Sequence, residues 1–116
     1  MSKLYHLLRS RFFYRIFIWV LNDLPCTIPA KRLRETKTLL AFLHPKSNHP
    51  FHVIIVPKKA NRSLANLNPA DPFLVDMMAN VQNLVAEYHL TAYRLIVNGG
   101  EYQEFPHLHF HLISDK

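Results

Sequence analysis

Residues 98–113 read NGGEYQEFPHLHFHLI, and the last seven alternate histidine with apolar side chains before closing on Leu112 and Ile113. In an extended chain successive side chains leave opposite faces of the backbone. The alternation therefore predicts a strand over 107–113 that sends His107, His109 and His111 to one side. Leu108, Phe110 and Leu112 would anchor the other side in a core. Just upstream, YRLIV at 93–97 reads as a partner strand, and Gly99 and Gly100, the chain's only glycines, punctuate the loop between them.

Further upstream lies the clearest helical pattern. Phe73, Leu74, Met77, Met78, Val81, Leu84, Val85 and Tyr88 follow the i, i+4 rhythm of an amphipathic face, with Asp76, Asn80, Asn83 and Glu87 on its wet side. Before it, HVIIV at 52–56 is a β-branched run ending at Pro57, ETKTLLAF at 35–42 reads as another strand, and Asn48, His49 and Pro50 mark the turn between them. Strands separated by one main helix, with a hairpin-like final pair, predict an α+β fold on an antiparallel sheet. Residues 3–21 predict an extra N-terminal helix, with Leu4, Leu7, Leu8, Phe12, Ile16, Trp19 and Val20 near helical spacing, stopped by Pro25 and Pro29. This divides the chain into an extension at 1–24 and a domain at 25–116.

The totals narrow the function classes. At 116 residues, 49% hydrophobic and 19% charged, the chain is expected to fold as one domain rather than remain disordered. Its formal charge of +6 favours anionic partners: nucleotides, nucleic acids or acidic lipid. No base-reading motif supports the nucleic acid. Cys26, the one cysteine, has no second thiol for a disulfide or a CxxC metal site, so a reducing, cytoplasmic home is expected. The 3–21 helix carries Lys3, Arg9, Arg11 and Arg15 without an acid, a composition that suits either peripheral contact with a membrane interface or packing on the sheet or a second subunit.

Three readings compete for the histidines. A polar strand face uses His by chance in the plainest one. A metal site is disfavoured by geometry, because the outer two rings of a straight strand start about 13 Å apart at their backbones and cannot easily converge on an ion that wants each ligand near about 2.1 Å. The third is nucleophilic catalysis, in which one imidazole attacks phosphorus while its neighbours orient and donate. Neighbouring rings about 6.5 Å apart suit different parts of one phosphate group.

The segment 98–113 resembles the signature of the histidine triad superfamily, with its Asn-x-Gly loop, Gln103 and alternating histidines. FHVIIVPKK at 51–59 resembles that family's strand ending in Val/Ile-Pro-Lys, while Ile28 to Lys31 and LLAF at 39–42 resemble stretches of its nucleoside hydrolase branch. The resemblance implies a homodimeric, metal-independent protein without a cofactor. It would act on a purine nucleotide or nucleotide conjugate, as hydrolase or nucleotidyl transferase on nucleoside phosphoramidates or dinucleoside polyphosphates. It further implies His109 as nucleophile, His111 on the phosphate, His107 orienting the neighbouring loop and ring, and His52 behind the triad as a tautomer-fixing partner. Asn98 and Gln103 would line the phosphate end, and Ile28 and Phe42 the walls around base and ribose. His44 stands where many members carry a ribose-gripping Asp, and Glu104 follows Gln103 where Ser or Thr is common. Both substitutions predict altered specificity, or a nucleotide-binding or scaffolding protein with weak turnover.

Overall fold

The computed structural model describes residues 32–45, 47–103 and 105–115; the expected N-terminal helix, Ile28 and Glu104 lie outside them. Five strands form one sheet: β1 (Arg32–Glu35), β2 (Leu39–Leu43), β3 (Phe51–Pro57), β4 (Arg94–Val97) and β5 (Phe110–Ser114). Their order across the sheet is β1-β2-β3-β5-β4, and every neighbouring pair is antiparallel. One long helix, α1 (Pro72–Glu87), connects β3 to β4. The α+β expectation holds.

The helix starts where the sequence dictates. Asp71 accepts a hydrogen bond from the Phe73 amide at 2.9 Å, and Pro72 occupies the first turn, where its missing N–H costs nothing. It ends without glycine: His89 takes the left-handed conformation at φ 52°, and the Leu90 amide reaches back to Val85 O at 3.0 Å. Phe73, Met77, Val81 and Leu84 are buried against Leu39, Ala41, Val53, Ile55, Leu108, Phe110 and Leu112, the inward positions of β2, β3 and the β5 segment. Each such side chain contributes on the order of 1.5–3 kcal/mol.

Four details correct the sequence reading. Met78 and Tyr88, expected in the buried stripe, are 48% and 40% exposed. Conversely the polar side is partly used for docking: Asp76 accepts from the Thr36 and Thr38 hydroxyls at 2.5 and 2.6 Å, and Arg34 reaches Asn83 and Glu87. The stretch 35–42 is not one strand. Thr36 Oγ1 accepts from the amides of Thr38 and Leu39, turning the chain so that β1 folds back on β2.

The fourth correction concerns the histidine segment itself. Ladder pairing between β3 and β5 runs only from Phe51↔Ser114 to Ile55↔Phe110. Continuing that register would set Pro57 opposite Leu108, where proline has no N–H to give. The His107 amide instead donates to Phe105 O at 2.9 Å and the Leu108 amide to Asn61 O at 2.9 Å. Of the expected strand 107–113, only residues from Phe110 onward are strand.

Candidate active site

The cross-strand register puts His52 opposite Ile113 and His111 opposite Ile54. Opposed residues share a face, so His52 and His111 lie together on the face that also carries the buried Phe42, Ile54 and Val56, away from α1. Leu108, Phe110 and Leu112 are buried in the helix-side core. The ring of His109 lies 5.0 Å from that of His111, centroid to centroid, at 71°. The middle imidazole is only partly buried, whereas His107 is 9% exposed.

Hydrogen-bond partners assign the protons. His109 Nδ1 stands 2.8 Å from His107 O. A carbonyl can only accept, so Nδ1 carries the hydrogen and the lone pair resides on Nε2. His107 Nε2 meets Pro57 O at 3.3 Å, which places its hydrogen on Nε2 by the same reasoning. Burial pushes the His107 ring below its ordinary pKa, opposed by that backbone contact. His107 thus braces the β3 end with its ring while its carbonyl holds the nucleophile candidate. The Phe105 ring meets His109 edge-on at 5.7 Å and supports it from the loop side.

Behind the triad, His52 Nε2 lies 2.8 Å from His111 Nδ1. Among the described residues the His52 ring meets Ser47 Oγ at 2.6 Å from Nδ1, His44 stacked at 4.5 Å and 24°, His49 edge-on at 5.6 Å, and His111 tilted at 5.0 Å. Burial first, then repulsion from His44 and His49, pushes the His52 pKa down to about 4. The ring is therefore neutral at neutral pH. His49 in turn meets Asp115 Oδ1 at 2.8 Å, and that hydrogen bond holds the Asp115 carboxyl below the usual range.

The remaining expected residues divide. Asn98 follows β4 and is half-buried near the entry to β5. Gln103 spends its amide on Arg62 O at 2.6 Å and Phe105 O at 2.9 Å, clamping the loop that leads into His107. Phe42 is 2% exposed beside Ile54 in the sheet. His44 lies against His52 rather than standing apart from the imidazole cluster. A cleft of about 350 Å³ adjoins the triad through Phe105 and is lined by Arg62, Ser63, Asn66, Gly100 and Gln103 as well. Among the described residues no three His, Cys, Asp or Glu side chains are grouped so as to hold a metal ion.

Ser47, Phe105 and Asp115 carry no functional signal in the sequence, and His49 reads there only as part of a turn. A serine in a turn and a histidine before a proline carry no periodic signal, and only the return of the 44–50 loop onto β3 brings them to His52. That loop is fastened by the His44 amide on His52 O at 2.8 Å and by the His49 amide on Ser47 Oγ at 3.0 Å.

Residues 26–116 match the family model described as the HIT domain. The chain is 30% identical over 94 residues to an uncharacterised HIT-like protein of Buchnera aphidicola, covering 77% of this chain and 84% of that one. It is 31% identical over 99 residues to an adenosine 5′-monophosphoramidase of Candida albicans, covering 77% and 64% respectively. A HIT family hydrolase from Legionella pneumophila superposes with a TM-score of 0.73 at 28% identity, covering 84% of this chain and 91% of that one. With the fold, the ordered histidines and these matches in agreement, the chain belongs to the histidine triad (HIT) family.

Proposed function

We propose that this protein is a nucleotide hydrolase or nucleotidyl transferase acting at the α-phosphate of a nucleoside phosphoramidate or dinucleoside polyphosphate. The observation that carries the reading is the His107 carbonyl on His109 Nδ1 at 2.8 Å, which leaves the Nε2 lone pair as the ring's nucleophilic site. In the first step Nε2 attacks phosphorus, a P–N bond forms, and the bond to the leaving amine or phosphate breaks. The leaving group keeps the bonding pair and takes up a proton from solvent. The ring then carries positive charge, which the His107 carbonyl stabilises through the retained Nδ1–H. In the second step water attacks phosphorus and gives up a proton to solvent, the P–N electrons return to Nε2, and the nucleoside monophosphate is released. His111 donates to a phosphate oxygen in both steps, and His52 holds His111.

Family membership and the phosphoramidase named in Candida albicans support the substrate class. Incubation with adenosine 5′-phosphoramidate, wild type beside His109→Ala, tests the reading. Release of adenosine monophosphate by the wild type alone is expected, and equally slow release by both contradicts it.

A second reading rests on His44, which stacks on His52 and stands in the sequence where, by resemblance, many family members carry a ribose-gripping Asp. In it the protein binds purine nucleotides with little turnover. Calorimetry showing saturable binding of adenosine monophosphate, with no product formed from the phosphoramidate, would favour this reading over the first. The homodimer, the cytoplasmic location and the membrane contact of residues 3–21 belong to the same proposal. Sedimentation with anionic liposomes, comparing the full chain with one lacking residues 1–21, tests the last of these, and equal pelleting excludes it.

A further inference from the structure

We propose that Ser47 is a positioning residue whose hydroxyl sets the tautomer of His52 and, through it, that of His111, so that His111 turns an N–H toward the phosphate. The inference rests on the hydrolase reading for its purpose, and on three contacts for its geometry.

Ser47 Oγ lies 2.6 Å from His52 Nδ1, and His52 Nε2 lies 2.8 Å from His111 Nδ1. A neutral imidazole has one N–H and one lone pair on its two nitrogens. The two contacts are therefore coupled, and with His111 neutral as well only two arrangements satisfy both. In the first, the Ser47 hydroxyl donates to Nδ1 of His52, Nε2–H of His52 donates to Nδ1 of His111, and the His111 hydrogen resides on Nε2. In the second every donor is reversed, and Nε2 of His111 carries a lone pair. His52 is held neutral by burial and by its neighbours His44 and His49, which is the condition for the coupling.

Two observations and one requirement of the hydrolase reading favour the first arrangement. The Ser47–His52 separation of 2.6 Å lies below the usual range of about 2.7–3.2 Å for N–H donors to oxygen, which favours the hydroxyl as the donor. The His49 amide already donates to Ser47 Oγ at 3.0 Å. That uses one of the two hydroxyl lone pairs and leaves the hydroxyl hydrogen available to Nδ1 of His52. Lastly, phosphate oxygens only accept, so a lone pair on His111 Nε2 would repel the group that an N–H would hold. The stacked His44 and edge-on His49 keep the His52 plane in line for both contacts.

The test is nitrogen-15 NMR of the histidine rings in the full chain, which distinguishes Nδ1–H from Nε2–H tautomers. In the wild type His52 and His111 are expected as Nε2–H tautomers. Ser47→Ala is expected to mix the His52 and His111 tautomers and to lower kcat about tenfold with KM within about twofold, the scale of one hydrogen bond. Ser47→Thr, which keeps the hydroxyl, restores both. A wild-type His111 protonated on Nδ1 overturns the proposal, as does Ser47→Ala with unchanged tautomers and kcat. The wild-type spectrum needs neither turnover nor a folded variant, so its outcome is independent of the His109→Ala comparison that tests the hydrolase reading.

Discussion

The two faces of the sheet share buried apolar side chains but differ in what else they carry. Toward α1 the chain places Leu39, Ala41, Val53, Ile55, Leu108, Phe110 and Leu112, all buried apolar groups that share one cluster with the helix. On the other face the same strands β3 and β5 set His52 and His111 beside the buried Ile54 and Val56, and the imidazole contacts are directional. A close-packed apolar face spreads its stabilisation over many neighbours. The imidazole face concentrates its function in a few proton positions, so one lost acceptor changes chemistry without unfolding the chain. Substitutions in the helix-side core and substitutions of the imidazoles should therefore separate into losses of stability and losses of turnover.

The largest separation is expected at His109. His109→Ala should lower kcat by at least about 10³-fold, as loss of a covalent nucleophile does, while its thermal midpoint stays close to that of the wild type. A comparable loss of stability in this variant would break the division between the faces. On the helix side, Leu112→Ala is expected to cost about 2–5 kcal/mol in urea unfolding, because Leu112 is fully buried against Val53 and Leu95 and the cavity can collapse only partly. Residual enzyme measured well below the melting transition should keep most of its activity.

The imidazole face has one stability signature of its own. His52 titrates near 4 in the folded chain against an unfolded value of about 6.5. Between those values the unfolded chain binds more protons, so stability rises with pH. It is fully present above about pH 6.5 and falls by about 2–3 kcal/mol as pH drops to 4. His107, also lowered by burial, acts with the same sign. Chemical denaturation of wild type and His52→Gln at about pH 7 and about pH 4.5 checks this, since the glutamine variant should lose less on acidification. The smallest effect is expected at Arg34, which pairs with the half-exposed Glu87 at 2.5 Å. Arg34→Ala should cost about 0.2–1 kcal/mol and leave turnover unchanged.

Legibility in the sequence followed the same division. The apolar face was readable because burial imposes periodicity: two for Leu108, Phe110 and Leu112, and the helical period for Phe73, Met77, Val81 and Leu84. β1 was not readable, since RLRE at the sheet edge has one apolar residue and is held by a threonine turn and by pairing with β2. The strand carrying the triad was overextended because the obstacle, Pro57, lies on the partner strand, fifty residues before His107. The grouping of His52 with the triad followed from family resemblance. Its further partners Ser47, His44 and His49 depend on how one loop returns, and no local pattern encodes that.

The proposed chemistry requires Nε2 of His109 to take up a nucleotide. Rapid acid-free quenching of the full chain with adenosine 5′-phosphoramidate, followed by intact mass and peptide mapping, tests it most directly. The expected result is a transient mass increase of one adenylyl group, confined to the peptide bearing His109, acid-labile and absent from His109→Ala. Steady turnover with no such adduct under conditions that trap a phosphohistidine, or an adduct on a different residue, would contradict it.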